Sequence, residues 1–274
     1  MRTANLDGRL VLVYEDGVVD VEKASDGLFP SDPQTVFDRW KEFRAWADSA
    51  AVAAQPRAPF KEHELGAPAP RPRQVFAVGL NYADHVEESQ LETPSHPAVF
   101  TKFPTSLAGP YATVTLPSGL VDWEVELVAV IGREAYQVAA GDAWQHVAGV
   151  TLGQDLSERG VQLRGPAPQF SLAKSFPNFS PTGPVLVTPD EFENPDDLAL
   201  GCAVDGETMQ ESRTSQMIFS VPDQIARISA RRAPDNCIKP ESLVRAERER
   251  LVQVCREIDR WRQRMVADYF PGLG

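Results

Sequence analysis

Basic charge is what this chain most plainly lacks. Its 274 residues hold 27 Lys and Arg against 39 Asp and Glu, a net charge of −12. That argues against nucleic acid or anionic membrane as the main partner, because both need basic patches. Cysteine is scarce and odd in number. Cys202, Cys237 and Cys255 lie far apart without metal-ligand spacing, which fits reduced thiols better than a disulfide framework. No apolar run approaches the roughly 20 residues of a membrane-spanning helix, and Met1 to Asn5 lead into a strand without a signal-peptide core. The expected compartment is therefore the cytoplasm. No P-loop, dinucleotide fingerprint, His-Glu-x-x-His or Cys-x-x-Cys is present, which weakens nucleotide and zinc chemistries. What is present is an ordinary globular composition, 42% apolar and 24% charged, in a chain long enough for a substantial core.

Taken in order, Arg9–Tyr14 and Val18–Val21 are β-rich and flank Glu15-Asp16-Gly17, a hairpin signal. Asp32 and Pro33 open a helical pattern in which Val36, Phe37, Trp40, Phe43, Ala47 and Ala50 share a face. A proline-rich connector follows from Pro56 to Pro72, so the reading sets a small module, 1–72, apart from a main domain, 73–230. Asp205-Gly206 is a second hairpin signal.

The chemistry concentrates around Val121 to Ile131. Read as one strand, it projects Asp122, Glu124 and Glu126 from the face opposite Val121, Trp123, Val125 and Leu127. Two carboxylates projecting together suit a hard divalent cation, and Asp155 is the expected third ligand. An acidic edge strand facing solvent is the bland alternative. The apolar run Val128 to Ile131 points instead to a strand entering the core. His85 and Glu88, three apart, would share a helix face, where the carboxylate orients the imidazole as a general base. Arg159 and Gln162 are candidate holders of a substrate carboxylate or carbonyl, and Lys174 among Phe170, Phe176 and Phe179 is a candidate desolvated cation.

Together these motifs resemble the fumarylacetoacetate hydrolase family over roughly residues 74 to 229. They are Gly79-Leu80-Asn81-Tyr82 with Asp84-His85 and Glu88; Asp122 to Leu127 with Val130-Ile131-Gly132; Asp155 with Ser157 and Arg159; Lys174-Ser175-Phe176 before Gly183-Pro184; and Asp205-Gly206-Glu207 with Gln210, Ser212, Thr214, Met217, Ile218 and Phe219. The resemblance implies a mixed α+β fold, predominantly β, rolled into a sandwich-like barrel, with a small β-containing N-terminal module and usually a homodimer. It implies Mg²⁺ or Mn²⁺, with Ca²⁺ possible, on Glu124, Glu126 and Asp155. His85, Glu88 and Lys174 then fall on catalytic positions, and Tyr82, Arg159 and Gln162 on substrate-binding ones. The expected function is a metal-dependent hydrolase cleaving a C–C bond of a small β-diketo or 2-oxo acid. Decarboxylation or isomerisation of oxaloacetate-like or hydroxymuconate-like acids is the alternative on the same site. A metal- or ligand-binding homologue without turnover is a third reading.

The C-terminal part departs from that pattern. The family's Pro-Gly-Asp turn and Thr-Gly-Thr-Pro loop are absent, and no glycine separates Gly206 from Gly272. Pro240 to Ala267 instead alternates Arg and Glu with apolar residues at helical spacing, including Leu243, Val244, Leu251, Val254 and Ile258. The segment 231–274 is expected to be a charged amphipathic helix, with Glu241 and Arg245 as one of its surface pairs. It is a replacement for the loop, the product of a changed reading frame, or an incomplete domain.

Overall fold

The computed structural model describes residues 1–83, 94–230 and 238–247. The chain opens with β1 (Arg2–Leu6), β2 (Arg9–Tyr14) and β3 (Gly17–Asp20), joined by two tight hairpins. The first turn is Asp7-Gly8, with both residues at positive φ; the second closes at the pair Tyr14 and Gly17. After the helix Trp40–Ala47 come β4 (Leu65–Gly66), β5 (Val75–Gly79), β6 (Ala98–Thr101) and β7 (Leu107–Ala108). The acidic stretch supplies β8 (Val121–Asp122) and β9 (Val125–Ile131), and β10 (Val147–Gln154), β11 (Ser157–Glu158) and β12 (Ser180–Val187) follow. Next, β13 (Ala199–Val204) and β14 (Glu207–Arg213) form the hairpin predicted at Asp205-Gly206, with φ of +53° and +85° at its corner. The helix Val221–Ala230 and β15 (Leu243–Glu247) complete the described elements.

Eleven strands make one mixed sheet in the order β3-β2-β1-β12-β10-β9-β15-β5-β6, with β4 on β1 and β7 on β12. The mixed α+β, predominantly β expectation holds. The boundary placed near residue 72 does not divide this sheet. β1 hydrogen-bonds to β12 in the register Arg2 to Val187, Thr3 to Leu186 and Ala4 to Val185. The N-terminal strands therefore extend the main sheet, and they leave no free edge between the two parts.

Every residue of β9 is buried, as a central strand covered on both faces should be. Its alternation sorts the two cores. Val128 and Val130 pack with Phe37, Trp40 and Phe43 from the N-terminal helical segment. Leu127, Ala129 and Ile131 pack with Val221, Ile225 and Ile228 of the second helix. The aromatic stripe read from the sequence is thus core, although the helix predicted from Asp32 is a 3₁₀ turn, Thr35–Arg39, followed by Trp40–Ala47 and Ala50–Ala53. Gly132 is what lets the indole approach: a Cβ there would lie 2.8 Å from Trp40 Cδ1 and from Ala148 Cβ. No helix among the described residues is long and apolar enough to cross a membrane.

The C-terminal expectation is corrected at residues 243–247, which are a strand rather than part of a helix. β15 lies between β9, to which it is antiparallel, and β5, to which it is parallel. Leu243, Val244 and Ala246 are apolar enough to be buried there, and the unsatisfied edges of β9 and β5 favour a strand over a helix. Glu241 turns to Arg73 rather than to Arg245. Residues 238–242 lead into β15 through a bridge from Ile238 to Ala135 and a turn, and 231–237 and 248–274 of the predicted segment lie outside the described residues.

Candidate active site

The acidic stretch is not one continuous strand. It breaks at Trp123-Glu124 between β8 and β9. Asp122 pairs with Ser157 across β8 and β11, while Gln154 pairs with Val125 and Gly153 with Glu126 across β10 and β9. This register sets Asp155 beside Glu124 just beyond the paired ends, where the Asp155 amide donates to the Glu124 carbonyl at 2.8 Å. Glu124, Glu126 and Asp155 are all fully buried. Three carboxylates withdrawn from water this way need cations, since an unpaired buried charge is costly.

Four basic side chains supply them. Lys174, in the turn after the short helix Phe170–Ala173, donates to Glu124 Oε2 at 2.7 Å and to Ser157 Oγ at 2.8 Å, and stands 3.3 Å from Asp155 Oδ2. Its ammonium also lies 5.6 Å from the centre of the Phe100 ring. Lys102, immediately after β6, donates to Asp155 Oδ1 and, at 3.2 Å, to the Phe179 carbonyl. Arg159 reaches Asp122 Oδ2 at 3.0 Å, Glu124 Oε1 at 2.5 Å and Gln162 Oε1 at 2.7 Å. Arg245, on β15, donates to Glu126 Oε2. Asp122, Glu124, Glu126 and Asp155 therefore meet Lys102, Arg159, Lys174 and Arg245, four negative charges against four positive ones.

The electrostatics follow from burial. Burial, then the neighbouring Asp155 charge, push the Glu126 carboxyl up to about 7, against the opposing pull of Arg245 and Lys102. Burial lowers the Lys102 ammonium despite Asp155 and Glu126, and Arg245 adds to that lowering.

The sequence-predicted residues fall into three groups. Glu124, Glu126, Asp155, Lys174, Arg159 and Gln162 are brought together in one buried network. Tyr82, expected near the substrate, is fully buried in a small apolar cluster with Val125 and Leu200; its ring helps to seat β9. His85 and Glu88 lie outside the described residues. Lys102 and Arg245 were missed. Lys102 sits in the run Phe100-Thr101-Lys102-Phe103, where an isolated lysine after a strand reads as solvated, and Arg245 sits in a charge-dense run that reads as a helix surface.

The three carboxylates have the oxygen chemistry of a divalent-cation site. Among the described residues, Glu126 Oε1 and Asp155 Oδ2 are buried without a hydrogen bond. The remaining oxygens of Glu124, Glu126 and Asp155 are held by the nitrogen donors above, and among the described residues no group of three His, Cys, Asp or Glu side chains is disposed to hold a metal. The arrangement as it stands is a neutralised ion network and does not fit a metal cage.

Comparison with known proteins agrees with the fold and with these motifs. The family model described as fumarylacetoacetate (FAA) hydrolase C-terminal matches residues 74–243. A mitochondrial oxaloacetate tautomerase from Homo sapiens is 40% identical over 215 residues, covering 78% of this chain and 68% of that protein. The crystal structure of an HpcE protein from Mycobacterium smegmatis superposes with a TM-score of 0.81 at 55% identity, over 89% of this chain and 85% of the other. Maleylpyruvate hydrolase from Sphingobium, in complex with manganese(II) and pyruvate, gives a TM-score of 0.75 at 25% identity, over 91% and 89% of the two chains. Its ion supports divalent-metal use within the family. On the extent of the family match and the identity to these relatives, this chain belongs to the fumarylacetoacetate hydrolase family.

Proposed function

We propose that this protein is an isomerase of small 2-oxo diacids, interconverting the enol and keto forms of an oxaloacetate-like substrate. The observation that carries the reading is Lys174, a buried ammonium in contact with Glu124, Asp155 and Ser157 at once. Keto–enol exchange needs a proton removed from oxygen and one delivered to carbon, with negative charge on the substrate oxygen in between. A fixed ammonium in a dry site stabilises that oxygen as the charge develops. Arg159 positions Glu124 and Asp122 and thereby holds Lys174 in place. His85 with Glu88 remains the proposed partner for the second proton transfer, and Arg159 and Gln162 the proposed contacts to the substrate carboxylate.

C–C bond hydrolysis, the first expectation from the sequence, ranks below isomerisation. The mammalian relatives at about 40% identity carry the name oxaloacetate tautomerase, whereas the maleylpyruvate hydrolase neighbour stands at 25%. Decarboxylation of the same acids remains a side reaction to measure. The test is product identification with enol-oxaloacetate, an acylpyruvate and a hydroxymuconate-type acid, each with added Mn²⁺ and with chelator. Acceleration of ketonisation without C–C cleavage is the expected result. Cleavage of the acylpyruvate with no effect on the oxaloacetate enol would restore the hydrolase. Lys174→Met is expected to reduce the rate by about 100-fold or more; an unchanged rate would remove Lys174 from the mechanism. The mitochondrial location in the relatives' names belongs to those proteins, and the cytoplasm remains the proposal for this one, tested by fractionation of the source cells.

A further inference from the structure

Arg245 lies two residues beyond the end of the family match at Leu243, and it is fully buried. The register of the sheet explains how it reaches the acid cluster. On β15 it stands opposite Val128 of β9, one alternation from Glu126, so both side chains leave the same face of the sheet. Gly153 of β10 stands opposite Glu126 on the other side, and Thr182 of β12 opposite Gly153. The guanidinium crosses these strands in turn. Its Nε donates to Glu126, Nη2 to the Gln154 carbonyl at 2.9 Å, and Nη1 to Thr182 Oγ1 at 3.4 Å. Gly153 is the cradle, since a Cβ there would lie 2.6 Å from Arg245 Nη2.

We propose that Arg245 is a resident cation of the carboxylate cluster, occupying Glu126 in competition with a divalent ion, so that metal enters tightly only when Arg245 is removed or swings away. Three observations support it. Among the described residues, the four acids of the cluster are matched by four basic side chains only when Arg245 is counted. Among the described residues Glu126 Oε1 is buried without a hydrogen bond, as an oxygen awaiting a cation would be, and Asp155 Oδ2 has no hydrogen bond and faces only the Lys174 ammonium at 3.3 Å. The guanidinium is held by a backbone carbonyl and a threonine as well as by Glu126, which makes it a built part of the site. The chemical class of the competitor is a hard divalent cation, because every acceptor facing it is oxygen.

The test uses the full chain and Mn²⁺ alone, without substrate, so its outcome is independent of which reaction the protein catalyses. Binding is followed by titration calorimetry and by loss of the free-ion electron paramagnetic resonance signal. Arg245→Met is expected to bind one Mn²⁺ per chain about tenfold or more tightly than the parent, because a full positive charge beside the carboxylates has gone. Arg245→Lys is expected to resemble the parent, and adding Glu126→Gln to Arg245→Met to abolish the gain. Equal affinity in the parent and a folded Arg245→Met would overturn the proposal. Where Arg245→Met melts early, Mn²⁺ is expected to raise its melting temperature more than that of the parent; an equal or smaller rise also overturns it.

Discussion

Lys174 shows how much rests on single buried charges. Removing it leaves Glu124 and Asp155 facing each other with less compensation, and deletion of one partner from such a network typically costs about 3–5 kcal/mol. Lys174→Met is therefore expected to lower the urea midpoint markedly with little change in slope, a loss separable from its effect on rate by assaying well below the melting temperature. Glu241 offers a pH signature away from the acid cluster. Burial, with Asp38 adding a smaller push, holds its carboxyl above the usual range against the pull of Arg73. The folded state thus keeps this proton where the unfolded chain has released it. Stability from this group is greatest below the ordinary carboxylate value and declines as pH rises through the raised one. Urea midpoints between about pH 4 and pH 7 are expected to fall less in Glu241→Gln than in the parent; parallel profiles would show that other groups set the dependence. At this scale the sequence revealed the acids, because E-x-E beside an apolar run is informative. It concealed Lys102 and Arg245, because a lysine or arginine shows its burial only once the strands beside it are placed.

Among the elements, β9 and the segment Thr35–Ala47 depend on each other. Phe43 is fully buried between Phe29 and Trp40, with ring centroids 5.4 Å from each. Phe43→Ala is expected to cost about 3–5 kcal/mol, read from denaturant unfolding; a loss below about 1 kcal/mol would mean that the helix packs loosely on the sheet. The hairpins at Asp16-Gly17 and Asp205-Gly206 were legible from Asp-Gly pairs, since positive φ is a local demand that local residues answer, whereas the one at Asp7-Gly8 was not read. Nor was β15. Leu-Val-Arg-Ala-Glu is compatible with either period, and only the open positions beside β9 and β5 decide for the strand.

Across the whole molecule, cooperativity should follow the sheet. Amide exchange is expected to be slowest in β9 and β10, which have strands on both sides and cores on both faces, and faster in β13–β14, a separate two-stranded sheet. Exchange as slow in β13–β14 as in β9 would contradict that division. The homodimer implied by the resemblance is a proposal that light scattering tests directly, with twice the chain mass expected. By itself the sequence determined the family, the acidic residues of the cluster, the hairpins at Asp16-Gly17 and Asp205-Gly206 and the aromatic core stripe, because each is written in residues close together along the chain. Only the tertiary structure decided that the N-terminal strands belong to the main sheet, that the acidic strand breaks at Glu124, and that Arg245 reaches Glu126. Those facts depend on strand register between residues far apart along the chain, from about 30 positions for the break at Glu124 to more than a hundred for the other two, and hydrophobic period alone carries no information about which strands become neighbours.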